Sequence, residues 1–509
     1  MSVNSKYVSK YGYAIPKDSI SIKELIDLKS ELVAKPITGS GSGYGGGGGM
    51  YGAKDTNFGI FKETPSKIYI PKMYGIEKYG LPSKIFKNYY GKSFDNVLEF
   101  KGELYDRQFE PRDVLYSSCV KSGGGILNIP TGYGKTTIAL NVVTMLNKKT
   151  IIIVNKISLL NQWKSEISRF IPDAEIGIIQ GQKFDVQDKH VVIAMLQSLS
   201  KIQYPDEIFT DFGTVIVDEC HNTCTRMFSK IFFKLCCQYS IGLSATPERS
   251  DGCEYVFKWH LGDIVYGINE STKERTGKDP VIHFFKLQST NYKQVSVFNN
   301  YKNQEQIQYT SMITELVNMQ ERNDFIIKAL EQLMLMNGDC GDDKRKVLVM
   351  SDRRNHITRL HLSLLELKKS KGYDFTVGIF MGSMKTIDLE NAKKCDIILA
   401  TYSSFAEGVS VYDLNTILLL TPKKYVDNEK VKDDEKKDSG KMKQIIGRIF
   451  RKDHIETHPL IIDLCDDFSV YKSQAATRKK FYKKNFKNSI VHNTCIDLNA
   501  IPEFKILSE

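Results

Sequence analysis

Residues 124–140 read GGILNIPTGYGKTTIAL: a short apolar run, a glycine-containing loop, then a run that favours helix. A strand–loop–helix order of this kind brings backbone N–H groups and a helix N-terminus together around a phosphate. The candidate cradle comprises Ile129, Pro130, Thr131, Gly132, Tyr133, Gly134, Lys135, Thr136 and Thr137. Lys135 would neutralise the β and γ phosphates of a nucleotide, and the Thr136 hydroxyl would bind Mg2+. The strict phosphate-loop pattern has Gly where Ile129 stands.

Outward from that loop the same alternation continues. TIIIVN (150–155), HVVIAM (190–195) and GTVIVDE (213–219) are continuous, largely β-branched apolar runs separated by helical or loop stretches. Runs apolar on both faces indicate parallel strands covered on both sides, as in an α/β sheet. The pattern gives one domain over 99–270. A polar connector with a strand at VIHFFKL follows over 271–320. A second series, KVLVMS, FTVGIF, CDIILAT, NTILLLT and PLIIDL, gives another α/β domain over 321–470, with an exposed charged loop at 427–441. Residues 471–509 read as a basic tail, and 1–98 as a small aromatic and lysine-rich accessory region. The stretch TGSGSGYGGGGGMYG (38–52) has too few side chains to pack, so it reads as a flexible loop.

The second chemical element is VIVDECHN (215–222). Asp218 ends an apolar strand, where it can hold Mg2+ through water, and Glu219 is then placed to polarise an attacking water. The third is QIIGRIFRKD (444–453), where Gln444, Arg448 and Arg451 lie near one helical face. Paired arginines of this kind can stabilise the charge on a transferring phosphoryl group.

Composition adds bounds. The 509 residues exceed one compact core and suit two or three domains. A formal charge of +11 favours a polyanionic partner weakly, since lysine richness also follows from an AT-rich genome. No apolar run approaches the roughly 20 residues that span a bilayer, and the opening residues lack a signal-peptide core. The ten cysteines contain no C-x-x-C pair, which reads as free thiols in a reducing compartment.

The ordered set PTGYGKT, DECH, SAT (Ser244, Ala245, Thr246) and QIIGRIFR resembles the superfamily 2 helicases of the DExH group. GLSATPERSDG resembles a segment of the repair and transcription helicases related to the XPB subunit. VLVMSDR, GIFMGSMK and the stretches at 397–423 and 459–484 resemble helicases of large nucleocytoplasmic DNA viruses, including the poxvirus transcript-release group. The resemblance covers about 100–487. It implies two tandem RecA-like domains with parallel sheets, ATP and Mg2+ as ligands, and a site shared between the domains. It assigns Gln108 in LYDRQ to the adenine ring, His221 and Ser244–Thr246 to coupling, and Gly408 in FAEGVS to the nucleotide-facing loop. Ser410 stands at that motif's usual acidic position.

For nucleic acid, NKISLLNQW, QGQ, MLQSLS and ATYSS are the matching segments, with Gln162, Gln197, Ser198 and Thr401 as backbone contacts. Trp163 is either a base-stacking or a helix-packing ring, and RKKFYKKNFK (478–487) is either a nucleic-acid stripe or a solvated helix face. The implied protein is a monomeric ATP-driven motor on single-stranded DNA, favoured over RNA, with no membrane association. Its implied settings are a transcription complex, the cytoplasm of an infected cell and the virion. A motor that strips transcripts without unwinding duplex is the alternative. An ATP-gated binding scaffold is a third reading, which Lys135, Glu219 and the arginine pair oppose.

Overall fold

A computed structural model describes residues 5–36, 57–82, 84–85, 89–130, 132–223, 225, 227, 229–245, 252–268, 278–299, 303–336, 344–382, 384–405, 411, 413–423, 442, 445–450, 454 and 458–507. The chain divides into two compact units, one within Met1–Asn269 and the other from Glu270–Val431 and Asp438–Glu509. The glycine-rich stretch 38–52 and the charged stretch 427–441 lie outside the described residues.

The first unit is built on an eight-stranded sheet. Its strands are β1 (Gly124–Asn128), β2 (Thr150–Val154), β3 (Ile176–Gln180), β4 (Lys183–Asp185), β5 (Val191–Met195), β6 (Thr214–Asp218), β7 (Tyr239–Ser244) and β8 (Ile264–Gly267). They lie in the order β4-β3-β5-β2-β6-β7-β1-β8, all parallel except the edge pair β3–β4. The apolar runs are explained by two-sided burial: Ile152 and Val154 of β2 join one core layer, Ile151 and Ile153 the other. Each such side chain contributes about 1.5–3 kcal/mol when fully buried. Parallel pairing requires a crossover between strands, and helices supply it. Helix α1 (Asp106–Ser122) precedes β1, α2 (Lys135–Leu146) follows it, α3 (Ile157–Phe170) follows β2 and α4 (Leu196–Lys201) follows β5. Register sets Asn128 beside Ser244 and Asp218 beside Leu243, so the loops after β1, β6 and β7 leave at one edge. In open parallel sheets the carboxyl edge is where ligands bind.

The N-terminal leader is part of this unit. Its five short strands order as Lys62–Glu63, Lys67–Ile70, Gly12–Pro16, Tyr7–Ser9 and Lys84–Ile85. Two of its lysines are buried in the larger domain. Lys72, 2% exposed, donates to the carbonyls of Gly123 (2.9 Å), Cys237 (3.0 Å) and Gln238 (3.2 Å) and to Ser240 Oγ (3.1 Å). Lys10 donates to the Phe212 carbonyl and lies 3.7 Å from Cys237 Sγ. Burial holds the Lys72 amine below the ordinary lysine value.

The second unit carries a seven-stranded, all-parallel sheet. Its strands are β9 (Val281–Gln288), β10 (Val347–Ser351), β11 (Val377–Phe380), β12 (Ile397–Thr401), β13 (Thr416–Leu419), β14 (Leu460–Asp466) and β15 (Ile490–Asp497), ordered β11-β12-β10-β13-β14-β9-β15. The strand read as part of a connector, β9, is therefore the sixth strand of this sheet. It reads as isolated because its partners come far later in the chain, beginning at Leu460 and at Ile490.

The stretch read as a basic tail also differs. Ser469–Asn485 forms a helix whose inward face is Tyr471, Ala475, Arg478, Phe481 and Tyr482, and Ile490–Asp497 is the edge strand. Arg478 forks onto Asp463 of β14 with Nε–Oδ2 at 2.8 Å and Nη2–Oδ1 at 2.7 Å. The Tyr482 hydroxyl donates to the same carboxylate at 3.1 Å. These aromatics are core rings, unavailable to stack on bases, while the lysines Lys479, Lys480, Lys483 and Lys484 are exposed.

Candidate nucleotide and nucleic-acid site

The loop after β1 turns through two left-handed glycines, Gly132 (φ 88°) and Gly134 (φ 96°), before α2 starts at Lys135. A side chain at Gly134 would meet more than its own strained backbone: its Cβ would stand 2.0 Å from Gln108 Nε2. Gln108 lies against the loop, 2% exposed. Its Nε2 donates to the Tyr133 carbonyl at 2.7 Å, and its Oε1 accepts from the Tyr105 N–H at 3.0 Å. The Tyr133 hydroxyl donates to the Arg107 carbonyl at 2.6 Å, and the Arg107 guanidinium lies over the Tyr133 ring. Segment 105–108 thus grips the loop at Tyr133, through its carbonyl, its ring and its hydroxyl. Lys135 Nζ donates to the Ile129 carbonyl at 3.0 Å, which folds the side chain back across the loop.

Asp218 stands at the end of β6, partly buried. Each of its oxygens accepts one bond: Oδ1 from the Glu219 N–H at 3.0 Å, Oδ2 from the Trp163 indole N–H at 2.9 Å. Burial, with the neighbouring Glu219 charge second, holds its carboxyl well above the usual carboxylate range; the Trp163 bond and the Lys135 charge pull the other way. Glu219 occupies a left-handed conformation (φ 49°), an arrangement that costs of order 1–3 kcal/mol and gathers at functional sites. His221 Nδ1 lies 3.5 Å from Glu219 Oε2 and 3.0 Å from Ser244 Oγ at the end of β7. The acidic box and the Ser244 segment are therefore joined through one imidazole.

The donor set suits a magnesium ion brought in with phosphates. Each Asp218 oxygen has acceptor capacity beyond its one bond, and Thr136 is in the first turn of α2. Among the described residues no three His, Cys, Asp or Glu side chains cluster as a metal cage. One carboxylate plus substrate phosphates is the usual arrangement for this cation.

The remaining candidates fall in two places. On the first sheet, Gln197 Nε2 donates to the Asn155 carbonyl at 2.9 Å, and Ser198 Oγ accepts from the Gly181 N–H at 2.8 Å. Gln162 is half-buried on α3. On the second sheet, Thr401 Oγ1 lies 2.7 Å from Ser404 Oγ, which in turn accepts from the Gly382 N–H at 2.7 Å. The two sheets repeat one device: a serine just after one strand holds the glycine that follows the neighbouring strand. Arg448 is 2% exposed, its guanidinium 5.2 Å from the centre of the Phe405 ring. Thr131, Thr246, Gly408, Gln444 and Arg451 lie outside the described residues. Ala245 follows β7, half-buried.

The Trp163–Asp218 bond has no signature in the sequence. Trp163 falls in step with Leu159, Leu160, Ile167 and Phe170 on the buried face of α3, so its spacing signals packing and nothing signals where the indole N–H points. At 1% exposed the ring cannot stack a base.

Residues 96–249 match the family described as type III restriction enzyme, res subunit. Over 485 residues the chain is 29% identical to L396 of Acanthamoeba polyphaga mimivirus, provisionally named an ATP-dependent RNA helicase, covering 94% of this chain and 86% of that one. It is 26% identical over 399 residues to 161L of Invertebrate iridescent virus 6, provisionally named a helicase, covering 76% and 82%. Among solved structures, T4 UvsW is 19% identical with 93% and 96% covered and a TM-score of 0.34.

Proposed function

Since the chain is a superfamily 2 helicase related to those of large DNA viruses, an ATP-dependent enzyme, we propose that it moves along a nucleic-acid strand by hydrolysing ATP at the edge of the first sheet. The observation that carries this reading is the grouping of the Gly132–Thr136 loop, Asp218, Glu219, His221 and Ser244 at the carboxyl ends of three neighbouring strands. Lys135 unfolds from Ile129 to meet the β and γ phosphates, while N–H groups of the loop and α2 receive the rest of the chain. Mg2+, held by Thr136 and through water by Asp218, would withdraw charge from the β and γ oxygens. Glu219 polarises the attacking water. Arg448 and Arg451 supply guanidinium charge to the transferring phosphoryl group. Half of the Gln108 amide holds the loop; the remaining N–H and lone pair face adenine.

His221 and Ser244 pass the change at Glu219 to β7. Gln162, Gln197, Ser198 and Thr401 contact one strand through its backbone, without reading sequence. DNA is favoured over RNA, and the enzyme acts as a monomer in transcription in the infected cell. Phosphate release measured with single-stranded DNA, duplex DNA and RNA at fixed salt tests this. Stimulation by a single strand, falling steeply with salt, is expected; rates indifferent to all three polymers would overturn it.

A further inference from the structure

The Trp163–Asp218 bond is a built feature, and its surroundings show what it does. The indole belongs to the core layer that includes Leu159, Leu160 and Ile167 of α3 together with Ile152 and Val154 of β2. A ring packed on all sides has one orientation. Its single polar atom, a donor only, points at Asp218 Oδ2 at 2.9 Å. The other oxygen is pinned by the Glu219 N–H at 3.0 Å.

We propose that Trp163 is a positioning residue for the Asp218 carboxylate: one bond on each oxygen fixes the plane of the carboxylate and so the direction of its unused lone pairs. The terminal torsion of an aspartate is broad and roughly two-fold, so it is not set by its own rotamer preferences. With the indole N–H removed, Oδ2 keeps its charge and loses its fixed donor, and the carboxylate turns about the remaining bond to Glu219. The cation then finds a ligand whose direction must be selected at each binding event, which weakens its capture and slows the step that depends on it. The bulk of the ring is separable from this role, because phenylalanine fills most of the same core without a donor.

The inference rests on the reading of Asp218 as the carboxylate that serves Mg2+ in the nucleotide site, and the experiment separates the two. The chain holds two tryptophans. The other, Trp259, packs on Tyr74 and Tyr255 in the same unit, away from the loop residues described above. In a Trp259→Phe background Trp163 is the sole indole, and its emission should shift on adding Mg2+ with ADP and stay unchanged on adding ADP in EDTA. Trp163→Phe should need about 10-fold more Mg2+ for half-maximal hydrolysis at fixed ATP, the size of one hydrogen bond to a charged group. Leu160→Ala, a packing change on the same helix, should lower the melting temperature at least as much and leave the Mg2+ requirement alone. Trp163→Phe with the wild-type Mg2+ requirement, or Trp163 emission blind to Mg2+, overturns the proposal. The emission measurement keeps the native indole, so it decides even if Trp163→Phe does not fold. Glu219→Gln distinguishes the layers. If it hydrolyses ATP like wild type, the site reading falls; if it is inactive while Trp163→Phe behaves as wild type, only the positioning role falls.

Discussion

Gln108→Ala removes a side chain that is almost wholly enclosed yet sits outside the phosphate loop itself. Two hydrogen bonds are lost, to the Tyr133 carbonyl and from the Tyr105 N–H. At about 0.5–1.5 kcal/mol net for each, the clamp loses about 1–3 kcal/mol. If all of it ordered the loop for binding, affinity would fall about 5- to 150-fold. Since part of that sum supports the fold in the free protein as well, we expect the lower end, about 5- to 10-fold, for any nucleoside triphosphate. Adenine presents a donor at N6 next to an acceptor at N7, whereas guanine presents two acceptors. The unused donor and acceptor of the amide fit the first pattern, so ATP should lose more than GTP. Displacement of a fluorescent nucleotide by each triphosphate gives both numbers. Unchanged affinity for both would refute the clamp; equal losses would keep the clamp and remove adenine recognition from Gln108.

Three further outcomes follow from the same geometry. Asp463→Ala leaves Arg478 buried without its partner and should cost about 3–5 kcal/mol in urea unfolding, whereas Asp463→Leu combined with Arg478→Met should recover most of it. His356 is enclosed with Nδ1 2.9 Å from Ser351 Oγ and Nε2 2.9 Å from Asn323 Oδ1, and burial depresses it from 6.5 to about 3. Its contribution is complete above pH 6.5 and is lost as pH falls towards 3, at up to about 1.4 kcal/mol per pH unit. His356→Gln should flatten the acid limb of a stability-against-pH curve, and an unchanged limb would exclude this residue. Ser244→Ala breaks the contact with His221, so hydrolysis should persist within a few-fold while strand displacement on a tailed duplex falls; parallel loss of both would deny it a coupling role.

What could be read in advance was what lies close together in the chain. Gly132–Thr136 and Asp218–His221 are local motifs, and β2, β5 and β6 are visible because burial on both faces leaves uninterrupted apolar runs. What could not be read depends on partners far away. Lys72 looks like one more surface lysine until Gly123, Cys237, Gln238 and Ser240 supply its acceptors. Arg478 looks like part of a solvated basic stripe until Asp463 appears 15 residues upstream on a buried strand. Trp163 fits the helical period of its core face so well that its one polar contact leaves no trace in the spacing.

In the proposed site, Glu219 is the group that polarises the water attacking ATP. Nucleic-acid-stimulated phosphate release by wild type and Glu219→Gln, with ATP binding measured in parallel, tests it most directly. The variant should bind ATP as wild type does and release phosphate at least ~100-fold more slowly. Equal rates in the two proteins would contradict it.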